Sequence, residues 1–460
     1  MSVGASRSNE ELRLVAVNGC LGYGFDADSL AAGVEAGPDV IGADAGSTDP
    51  GPYYLGSGQS LVRPAQIRRD LGLALTKARA AKVPLIVGSA GMGGGEPNLQ
   101  IFKRILFEIA RAEGLHFKLA TIHSEIDKER VLSALRSGGI TPMADVPELS
   151  ERDVRDSERI VGQMGTEPFA KALDAGADVV LTGRSCDTAI YAALPIARGF
   201  DPGLALHLAK IMECGAQCAI PLAPNDSLLG TIRRDHFLVR PLSRQRVCTP
   251  DSVAAHTMYE QGNPHILYEP EGEVDLTGAD FEQVDAQTVR VSGSRFIPTR
   301  RLRIKLEGAR LAGFRAFTLA GIRDRTVIAN LPVIEETVRA AVRRNLGSVA
   351  ESDYRLGFRY YGRDAVLGAL EPERDRVPHE VGALVEAIGR SQEIADHVLS
   401  LARSSLLHCP FPGRKTTAGN LAFPASPSDT SAGAVYEFSV YHLMDVDDPC
   451  ELFPMELETV

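Results

Sequence analysis

Residues 42–49, Gly-Ala-Asp-Ala-Gly-Ser-Thr-Asp, hold the densest group of chemically active side chains in the chain. Asp44 and Asp49 lie five positions apart in this segment. Two carboxyl groups in one site can divide the roles of general acid and general base, because their surroundings shift their pKa values apart. They could instead hold a divalent cation through oxygen ligands. A solvated turn is the third alternative. Three further residues of the loop are candidates for substrate binding: Gly46, Ser47 and Thr48.

Residues 88–95, Gly-Ser-Ala-Gly-Met-Gly-Gly-Gly, have the composition of an anion-binding loop, because glycine leaves backbone N–H groups open to a ligand. The segment lacks the Lys and Ser/Thr ending of a phosphate-binding P-loop, and it does not match the dinucleotide-binding pattern. Nucleotide hydrolysis is therefore disfavoured. A carboxylate, or a phosphate on an acyl carrier such as CoA, is the alternative to close backbone packing. The candidate binding residues here are Ser89, Gly91 and Gly93.

Residues 182–187 place an arginine and an aspartate after a predicted strand. Arg184 could grip a substrate carboxylate with two parallel hydrogen bonds. Asp187 could orient the arginine or transfer a proton, and a simple ion pair at a helix start is the alternative. Glu125 and His236 are two more candidates for proton transfer, because each stands among other polar residues.

Other polar residues carry weaker signals. Arg295 and Arg323 lie in strand-rich surroundings and are candidates for binding substrate across a cleft. The same surroundings hold the motif Lys305-x-Glu307, whose alternating polarity also fits a half-solvated strand. A helix predicted over residues 205–217 presents Lys210, Glu213 and Cys214, for which a solvated stripe or an ion pair is favoured over a nucleophilic lysine. No histidine spacing indicates a zinc site.

The elements that must position these residues follow a repeating pattern in the first half of the chain. Six short apolar runs are each followed by a glycine-rich or polar loop: residues 12–17, 39–41, 83–87, 117–122, 160–161 and 178–181. Predicted helices lie between them, at residues 64–81, 98–113 and 168–175. Alternating strands and helices predict a parallel sheet, and continuously apolar strands predict that both of its faces are covered. The pattern fits an open sheet and an incomplete barrel equally well. In either fold, ligands bind beyond the carboxyl ends of the strands.

The pattern changes near residue 224, which predicts a second domain. We expect a flexible tail at 1–10, an α/β domain with a parallel sheet at 11–224, and an α+β domain with a mostly antiparallel sheet at 225–460. The second domain is predicted to contain a hairpin at 228–241, a strand at 354–362 and a last strand at 434–443. Its long helices are predicted at 327–345 and 380–406. Residues 409–433, rich in Pro, Gly, Ser and Thr, predict an irregular loop.

Composition excludes several classes of function. The 460 residues carry a net charge of −11, so neither nucleic acid nor an anionic membrane is expected as a partner. Arginine makes up 40 of the 49 basic residues, which suits local recognition of carboxylate or phosphate. No stretch is apolar enough to span a membrane, and the polar start predicts no export signal. Seven scattered cysteines without a CxxC pair favour a reducing cytoplasm.

The motifs together resemble the acyclic terpene utilisation family AtuA, formerly a domain of unknown function. The resemblance rests on residues 42–49, then 51–56 (Gly-Pro-Tyr-Tyr-Leu-Gly), then 175–180 (Ala-Gly-Ala-Asp-Val-Val) leading to Gly183-Arg184 and Asp187. It extends from about residue 13 to about residue 365, while the C-terminal segment is divergent. The resemblance implies a role in the catabolism of branched carboxylates, often as CoA thioesters, and for terpene-pathway members a lyase step. It assigns no catalytic residues.

We therefore expect a cytoplasmic, homo-oligomeric lyase that adds or removes water, or cleaves a C–C bond, in a branched or dicarboxylic acid or its CoA thioester. Asp44 or Asp49 would remove the proton alpha to a carbonyl, and Asp187, Glu125 or His236 would return it. The sequence indicates no definite cofactor; a divalent cation, and CoA as part of the substrate, are the candidates. The competing hypotheses are a non-catalytic subunit that binds acyl-CoA or carboxylate, and an isomerase or racemase.

Overall fold

The computed structural model describes residues 10–223 and 225–460. The predicted tail at 1–10 lies outside these residues except for Glu10. The strands are β1 Glu11–Ala16, β2 Val40–Asp44, β3 Leu85–Gly88, β4 Lys118–Ile122, β5 Ile140–Pro142, β6 Arg159–Gln163, β7 Val179–Thr182, β8 Ala219–Ile220, β9 Leu228–Arg233, β10 His236–Pro241, β11 Val247–Cys248, β12 Ile266–Glu269, β13 Gly272–Asp275, β14 Asp280–Gln283, β15 Val289–Ser292, β16 Arg295–Pro298, β17 Arg303–Ile322, β18 Tyr354–Tyr361, β19 Val381–Gly389, β20 Asp429–Asp445 and β21 Met455–Thr459.

The α-helices begin, in most cases, at a capping side chain or at a proline in the first turn. They are α1 Ala27–Glu35, α2 Tyr53–Ser57, α3 Pro64–Ala81, α4 Glu96–Glu113, α5 Lys128–Arg136, α6 Glu151–Asp156, α7 Thr166–Asp174, α8 Ala189–Ala197, α9 Pro202–Met212, α10 Pro250–Thr257, α11 Arg325–Ala329, α12 Leu331–Asn345 and α13 Gln392–His408. Short 3-10 turns occur at Gly215–Cys218, Glu351–Asp353 and Gly368–Leu370.

A ten-stranded sheet forms the centre of the fold, in the order β14-β15-β10-β9-β1-β2-β3-β7-β4-β21. The five strands β1, β2, β3, β7 and β4 are parallel. Antiparallel strands continue it on both sides, because β9 pairs with β1 and β21 pairs with β4. This confirms the predicted fold class, an α/β region with a parallel sheet followed by mostly antiparallel sheets. The strand order has two free ends, so the sheet is open.

Alternate residues of the parallel strands enter two separate cores, which confirms that both faces of the sheet are covered. Leu14 and Ile86 belong to one core, together with residues of α7, α8 and α9. Their neighbours Val15 and Val87 belong to the other core, with residues of α3 and α4. Each strand is therefore apolar at every position, and this is the reason that the runs were readable in the sequence.

One of the six apolar runs does not join the parallel sheet. Residues 160–161 lie in β6, which pairs antiparallel with β17, with Gln163 opposite Lys305. The run is short and apolar in the same way as the parallel strands, so its sequence does not distinguish the two kinds of partner. The consequence for the site is direct, because this pairing brings the first residues of β17 to the Gly-rich loops.

The chain divides into two compact units, one formed by the described residues up to Arg310 together with Phe438–Val460, and the other by Leu311–Glu437. The boundary predicted at 224/225 falls inside the first unit. The hairpin predicted at 228–241 is present as β9 and β10, and because β9 pairs with β1 it extends the N-terminal sheet instead of starting a new domain.

The second unit contains β18 and β19, the end of β17, and the helices α11, α12 and α13. The helix predicted at 380–406 is wrong over its first third, because Val381–Gly389 is a strand. Val381, Ala383 and Val385 are buried on one face, a period of two that favours a strand. The helix α13 then begins after Ser391, whose side chain accepts a hydrogen bond from the Ile394 amide. The predicted loop 409–433 ends earlier than expected, because β20 begins at Asp429.

A buried histidine on α9 predicts how stability changes with acid. His207 is fully buried; its Nδ1 lies 2.7 Å from Ser294 Oγ and its Nε2 lies 3.0 Å from Thr257 Oγ1. Burial lowers its pKa to about 3. The unfolded chain therefore binds more protons between pH 6.5 and 3, and stability falls as the pH is lowered through this range, by up to about 1.4 kcal/mol per pH unit.

We expect His207→Gln to flatten this slope. The measurement is urea unfolding at pH 7, 6, 5 and 4, with the exposed His265→Gln as the matched control. An unchanged slope in the His207 variant would show that this histidine is not the group responsible.

Among the helices of the described residues, none combines the length and the apolarity that crossing a bilayer requires.

Candidate functional site

Arg184, directly after β7, is the centre of a buried cluster at the carboxyl edge of the parallel strands. Its side chain is 4% exposed, and its Nε lies 2.8 Å from Glu307 Oε2. Its Nη1 donates hydrogen bonds to Ser89 Oγ at 3.1 Å and to the Ser185 carbonyl at 2.8 Å. Within the described residues, its Nη2 makes no hydrogen bond. The guanidinium group is thus held rigidly, with one donor group left over for a ligand.

Glu307, on the part of β17 that pairs with β6, balances the charge of Arg184. It is fully buried, and its Oε1 lies 2.7 Å from Lys305 Nζ and accepts a hydrogen bond from Thr48 Oγ1 at 3.0 Å. Burial alone would raise the pKa of Glu307, but Arg184 and Lys305 lower it to about 2. Glu307 is therefore an anion at neutral pH that joins the loop at 42–49 to the loop after β7.

Asp44, the last residue of β2, and Asp187 form a pair of carboxyl groups that lie within electrostatic reach of each other and of Arg184. Asp44 is buried, and its Oδ1 accepts a hydrogen bond from the Gly46 amide at 3.1 Å. Burial raises the pKa of Asp44 well above its usual range, and repulsion from Asp187 adds to this. Burial also raises the pKa of Asp187, but Arg184, whose Nη1 lies 3.6 Å away, opposes the rise. Burial and the neighbouring carboxyl group thus disfavour the charge of Asp44, whereas Arg184 favours the charge of Asp187.

Two polar atoms at this site are buried without a hydrogen-bond partner among the described residues: Oδ1 of Asp187 itself and the hydroxyl of Tyr191. Tyr191 is 1% exposed and packs against Gly42 of β2, and both Asp44 and Asp187 raise the pKa of its hydroxyl after burial itself. Buried polar atoms are nearly always paired. Two buried polar atoms without partners at one site therefore indicate where ligand atoms would bind.

A second buried pair adjoins the first. Lys210, on α9, forms a close ion pair with Glu213, and both side chains are at most 10% exposed. Burial raises the pKa of Glu213 to about 8, against the effect of Lys210, and Asp187 contributes to the rise. The sequence favoured an ion pair or a solvated stripe here; the ion pair is confirmed, but it is buried rather than solvated. The sequence contains a signal for this burial. The residues around Lys210 are apolar, so the helix has no solvated face on which the lysine could lie.

The glycines of residues 88–95 allow loops to pack closely. A Cβ on Gly93 would lie 2.7 Å from Leu55 Cα, and one on Gly91 would lie 3.0 Å from Asn98 Cβ. Three amides of the loop are used by backbone bonds: Ser89 to Gly183, Ala90 to Thr182, and Met92 to Ala45. Ser89 itself has φ +50°, a strained conformation for a residue with a side chain, which aims its hydroxyl at Arg184. The loop therefore positions Arg184 more than it offers free amides.

Gly94 provides a test of this packing. It has φ +63°, and a Cβ there would lie 2.2 Å from the Arg184 backbone nitrogen. Gly94→Ala is expected to destabilise the protein by about 2–4 kcal/mol, since overpacking adds to the left-handed strain. Gly114→Ala is the matched control, because Gly114 has φ +61° and open space around its Cβ position; it should cost only about 1–2 kcal/mol. Equal losses in urea unfolding would contradict the packing account.

Several predicted site residues lie apart from the cluster. Asp49 is exposed, although its charge still raises the pKa of Asp187, and Ser47 caps the Asp49 amide at 3.2 Å. Glu125 accepts a hydrogen bond from the Glu96 amide at 2.8 Å, so it caps α4. Arg295 is exposed and pairs with Asp275 at 3.1 Å. Arg323 belongs to the second unit, where it donates to the His379 carbonyl.

His236 is not brought to the Asp44–Asp187 pair. It begins β10 after the hairpin turn, and its Nδ1 lies 2.7 Å from Asp235 Oδ1. The strand β9 runs antiparallel to β1, with Arg233 opposite Glu11, so this turn lies at the amino ends of the parallel strands. Asp44 lies at their carboxyl ends, and the length of the sheet separates the two.

Within the described residues, no group of three or more His, Cys, Asp or Glu side chains is placed to hold a metal ion. Asp44 and Asp49, which could have shared a cation, differ in burial: Asp44 is buried and Asp49 is exposed. Cys186, next to Asp187, is buried, which raises the pKa of its thiol well above the usual range. It is therefore protonated at neutral pH and unsuited to act as a nucleophile.

Comparison with known families places the chain. The model of the acyclic terpene utilisation family protein AtuA matches residues 66–221 and 237–428, well over half of the sequence. The chain belongs to the AtuA family. The resemblance predicted from the motifs is confirmed, and the match includes Arg184, Asp187 and Glu307 while the segment 42–49 precedes it. AtuA membership indicates a catabolic role in terpene utilisation. No curated protein and no solved structure matches this AtuA chain.

Proposed function

We propose that the protein is a cytoplasmic lyase that uses two carboxyl groups to take a proton from its substrate and to give one to it. The substrate would be a branched or dicarboxylic acid or its CoA thioester. The observation that carries the proposal is the pair of carboxyl groups Asp44 and Asp187, in which Asp187 repels the charge of Asp44 and its own buried Oδ1 makes no hydrogen bond within the described residues. Acid–base sites separate the pKa values of two such groups so that one gives a proton and the other takes one. Arg184 Nη2 supplies a positively charged donor for a carboxylate or a carbonyl oxygen.

The roles follow from the charges around each group. Arg184 favours the charged form of Asp187, so Asp187 would remove the proton alpha to the substrate carbonyl. Burial and Asp187 favour the protonated form of Asp44, so Asp44 would donate its proton to the leaving oxygen, and water would be released in a hydro-lyase reaction. This reverses the roles that the sequence suggested for the two aspartates. Lys305 and Glu307 would not touch substrate but would hold Arg184 in place.

The test is a substrate panel in deuterated water. The purified protein is incubated with branched and dicarboxylic acids and their CoA thioesters, and mass spectrometry follows product formation and deuterium content. We expect net conversion of at least one compound by the wild type and none by Asp187→Asn. Deuterium exchange without net product would indicate an isomerase or racemase, and tight binding without exchange a non-catalytic subunit. Either outcome would overturn the lyase assignment.

A further inference from the structure

A cavity of about 520 Å³ lies in the first unit beside the three-stranded sheet β12-β13-β16. Its volume is within the range of about 300–1,000 Å³ that small-molecule sites occupy. Its lining is mostly apolar, with Met143, Tyr268, Ile297 and Leu443 among the wall residues. Cys186, between Ser185 and Asp187 in the chain, also lines it, so the cavity adjoins the loop that carries Asp187.

Two of the apolar residues at this cavity are unusually exposed. The strand register places Tyr268 opposite Glu273, and Glu273 opposite Ile297, so the three side chains form one row across the sheet. Tyr268 is 64% exposed and Ile297 is 41% exposed. Tyr268 and Ile297 therefore lie on either side of Glu273. Apolar side chains that face a cavity at this level of exposure indicate a surface that a ligand covers.

The same cavity is strongly basic on one side. Arg300, Arg301, Arg303 and Lys305 all line it, within six consecutive residues. Arg301 is paired with Asp445, and Lys305 with Glu307. Arg300 and Arg303 are exposed and make no ion pair within the described part of the chain. Two uncommitted guanidinium groups next to an apolar wall suit a carboxylate or phosphate attached to an apolar body.

The acidic residues of the cavity do not cancel this charge. Glu269 accepts a hydrogen bond from Thr188 Oγ1 at 2.8 Å. Burial raises the pKa of Glu269 well above its usual range, and repulsion from Glu271 adds to the rise, so both disfavour a negative charge on this group. Glu273 is the exposed acid of the lining. Against Arg300 and Arg303 it leaves a net positive rim.

We propose that this cavity binds an anionic amphiphile, with the apolar chain against Tyr268 and Ile297 and the anionic group on Arg300 and Arg303. This deepens the proposed function and rests on it in naming the substrate class: a compound with an apolar chain and a carboxylate or phosphate at one end. Its other end, which would carry the reacting carbonyl of the proposed function, would point past Cys186 towards Asp187. Two ion pairs connect the cavity with the carboxyl pair: Lys305, which lines the cavity, pairs with Glu307, and Glu307 pairs with Arg184.

The experiment measures binding by calorimetry, with decanoate, decyl phosphate, 1-decanol and inorganic phosphate, each below its micelle concentration. We expect the two decyl anions to bind wild type at least tenfold more tightly than decanol, and inorganic phosphate not to bind detectably. The double variant Arg300→Ala, Arg303→Ala should weaken both decyl anions by about tenfold or more and leave decanol unchanged. Ile297→Ser should weaken all three decyl compounds, since it removes apolar contact.

Controls separate this proposal from the catalytic one. Arg104→Ala removes an exposed arginine elsewhere, on α4, and should leave binding unchanged. Asp44→Asn should bind the decyl anions as wild type does even where turnover is lost. A wild type that binds neither decyl anion, or binding that survives both the double arginine variant and Ile297→Ser, would overturn the cavity assignment without affecting the proton-transfer proposal. Preference for decyl phosphate over decanoate would support the proposal and identify the anionic group.

Discussion

Replacing Glu307 by alanine is expected to lower the free energy of unfolding by about 3–5 kcal/mol, because it leaves two buried cations without their counter-ion. Glu307 is fully buried and holds Arg184 at 2.8 Å and Lys305 at 2.7 Å. It also accepts the Thr48 hydroxyl, so the variant opens a third unsatisfied group. Urea unfolding at pH 7 measures the loss.

The matched control is Glu108→Ala, which removes an exposed partner of Arg68 and should cost less than about 1 kcal/mol. The pH dependence provides a second check. Because the pKa of Glu307 is lowered to about 2, its contribution is fully present above pH 4.5 and is lost as the pH falls towards 2. Similar losses for the Glu307 and Glu108 variants would contradict the buried network.

Asp44→Asn is expected to reduce kcat by about 10²–10⁴-fold on whichever compound the substrate panel identifies, while the protein stays folded. Burial and Asp187 favour the protonated form of Asp44, and asparagine has the same shape and is always neutral. It can also still accept the hydrogen bond from the Gly46 amide. What it cannot do is release a proton to the leaving group.

The control for this variant is Asp280→Asn, at an exposed position of the edge strand β14, which should leave kcat unchanged. Thermal unfolding of Asp44→Asn within a few degrees of wild type would show that the loss is chemical. Full activity of folded Asp44→Asn would remove Asp44 from the mechanism.

Much of the fold could be predicted, because parallel strands covered on both faces are apolar at every position. Ligands bind beyond the carboxyl ends of parallel strands, and this rule also predicts that the loops of Asp44, Ser89, Arg184 and Asp187 lie at one edge of the sheet. The strand Val381–Gly389 was missed since its small and apolar residues suit either secondary structure, and only the buried alternation distinguishes them. Local sequence was therefore sufficient to predict the loops of the site, because each of their polar residues comes shortly after a recognisable apolar strand.

The partners from distant segments could not be predicted. Glu307 lies 123 positions after Arg184, and only the pairing of β6 with β17 brings the two together. The local sequence does not show which distant strand will pair with it. The alternating polarity of the motif Lys305-x-Glu307 therefore indicates only a half-solvated strand. The prediction for His236 rested on its local sequence alone, because a histidine beside an aspartate is typical of an active site. The hairpin places His236 at the amino ends of the parallel strands, at the other end of the sheet from Asp44.

The most direct test of the central claim is the protonation state of the two aspartates, measured by ¹³C NMR of protein labelled at the aspartate side-chain carboxyl carbon. Spectra of wild type, Asp44→Asn and Asp187→Asn between pH 4 and 9 assign the two signals by their loss. We predict that Asp44 keeps its proton at pH 7 and titrates after Asp187, and that removal of either carboxylate shifts the titration of the other to lower pH. An Asp44 signal that titrates near pH 4, independently of Asp187, would contradict the proposed acid–base pair.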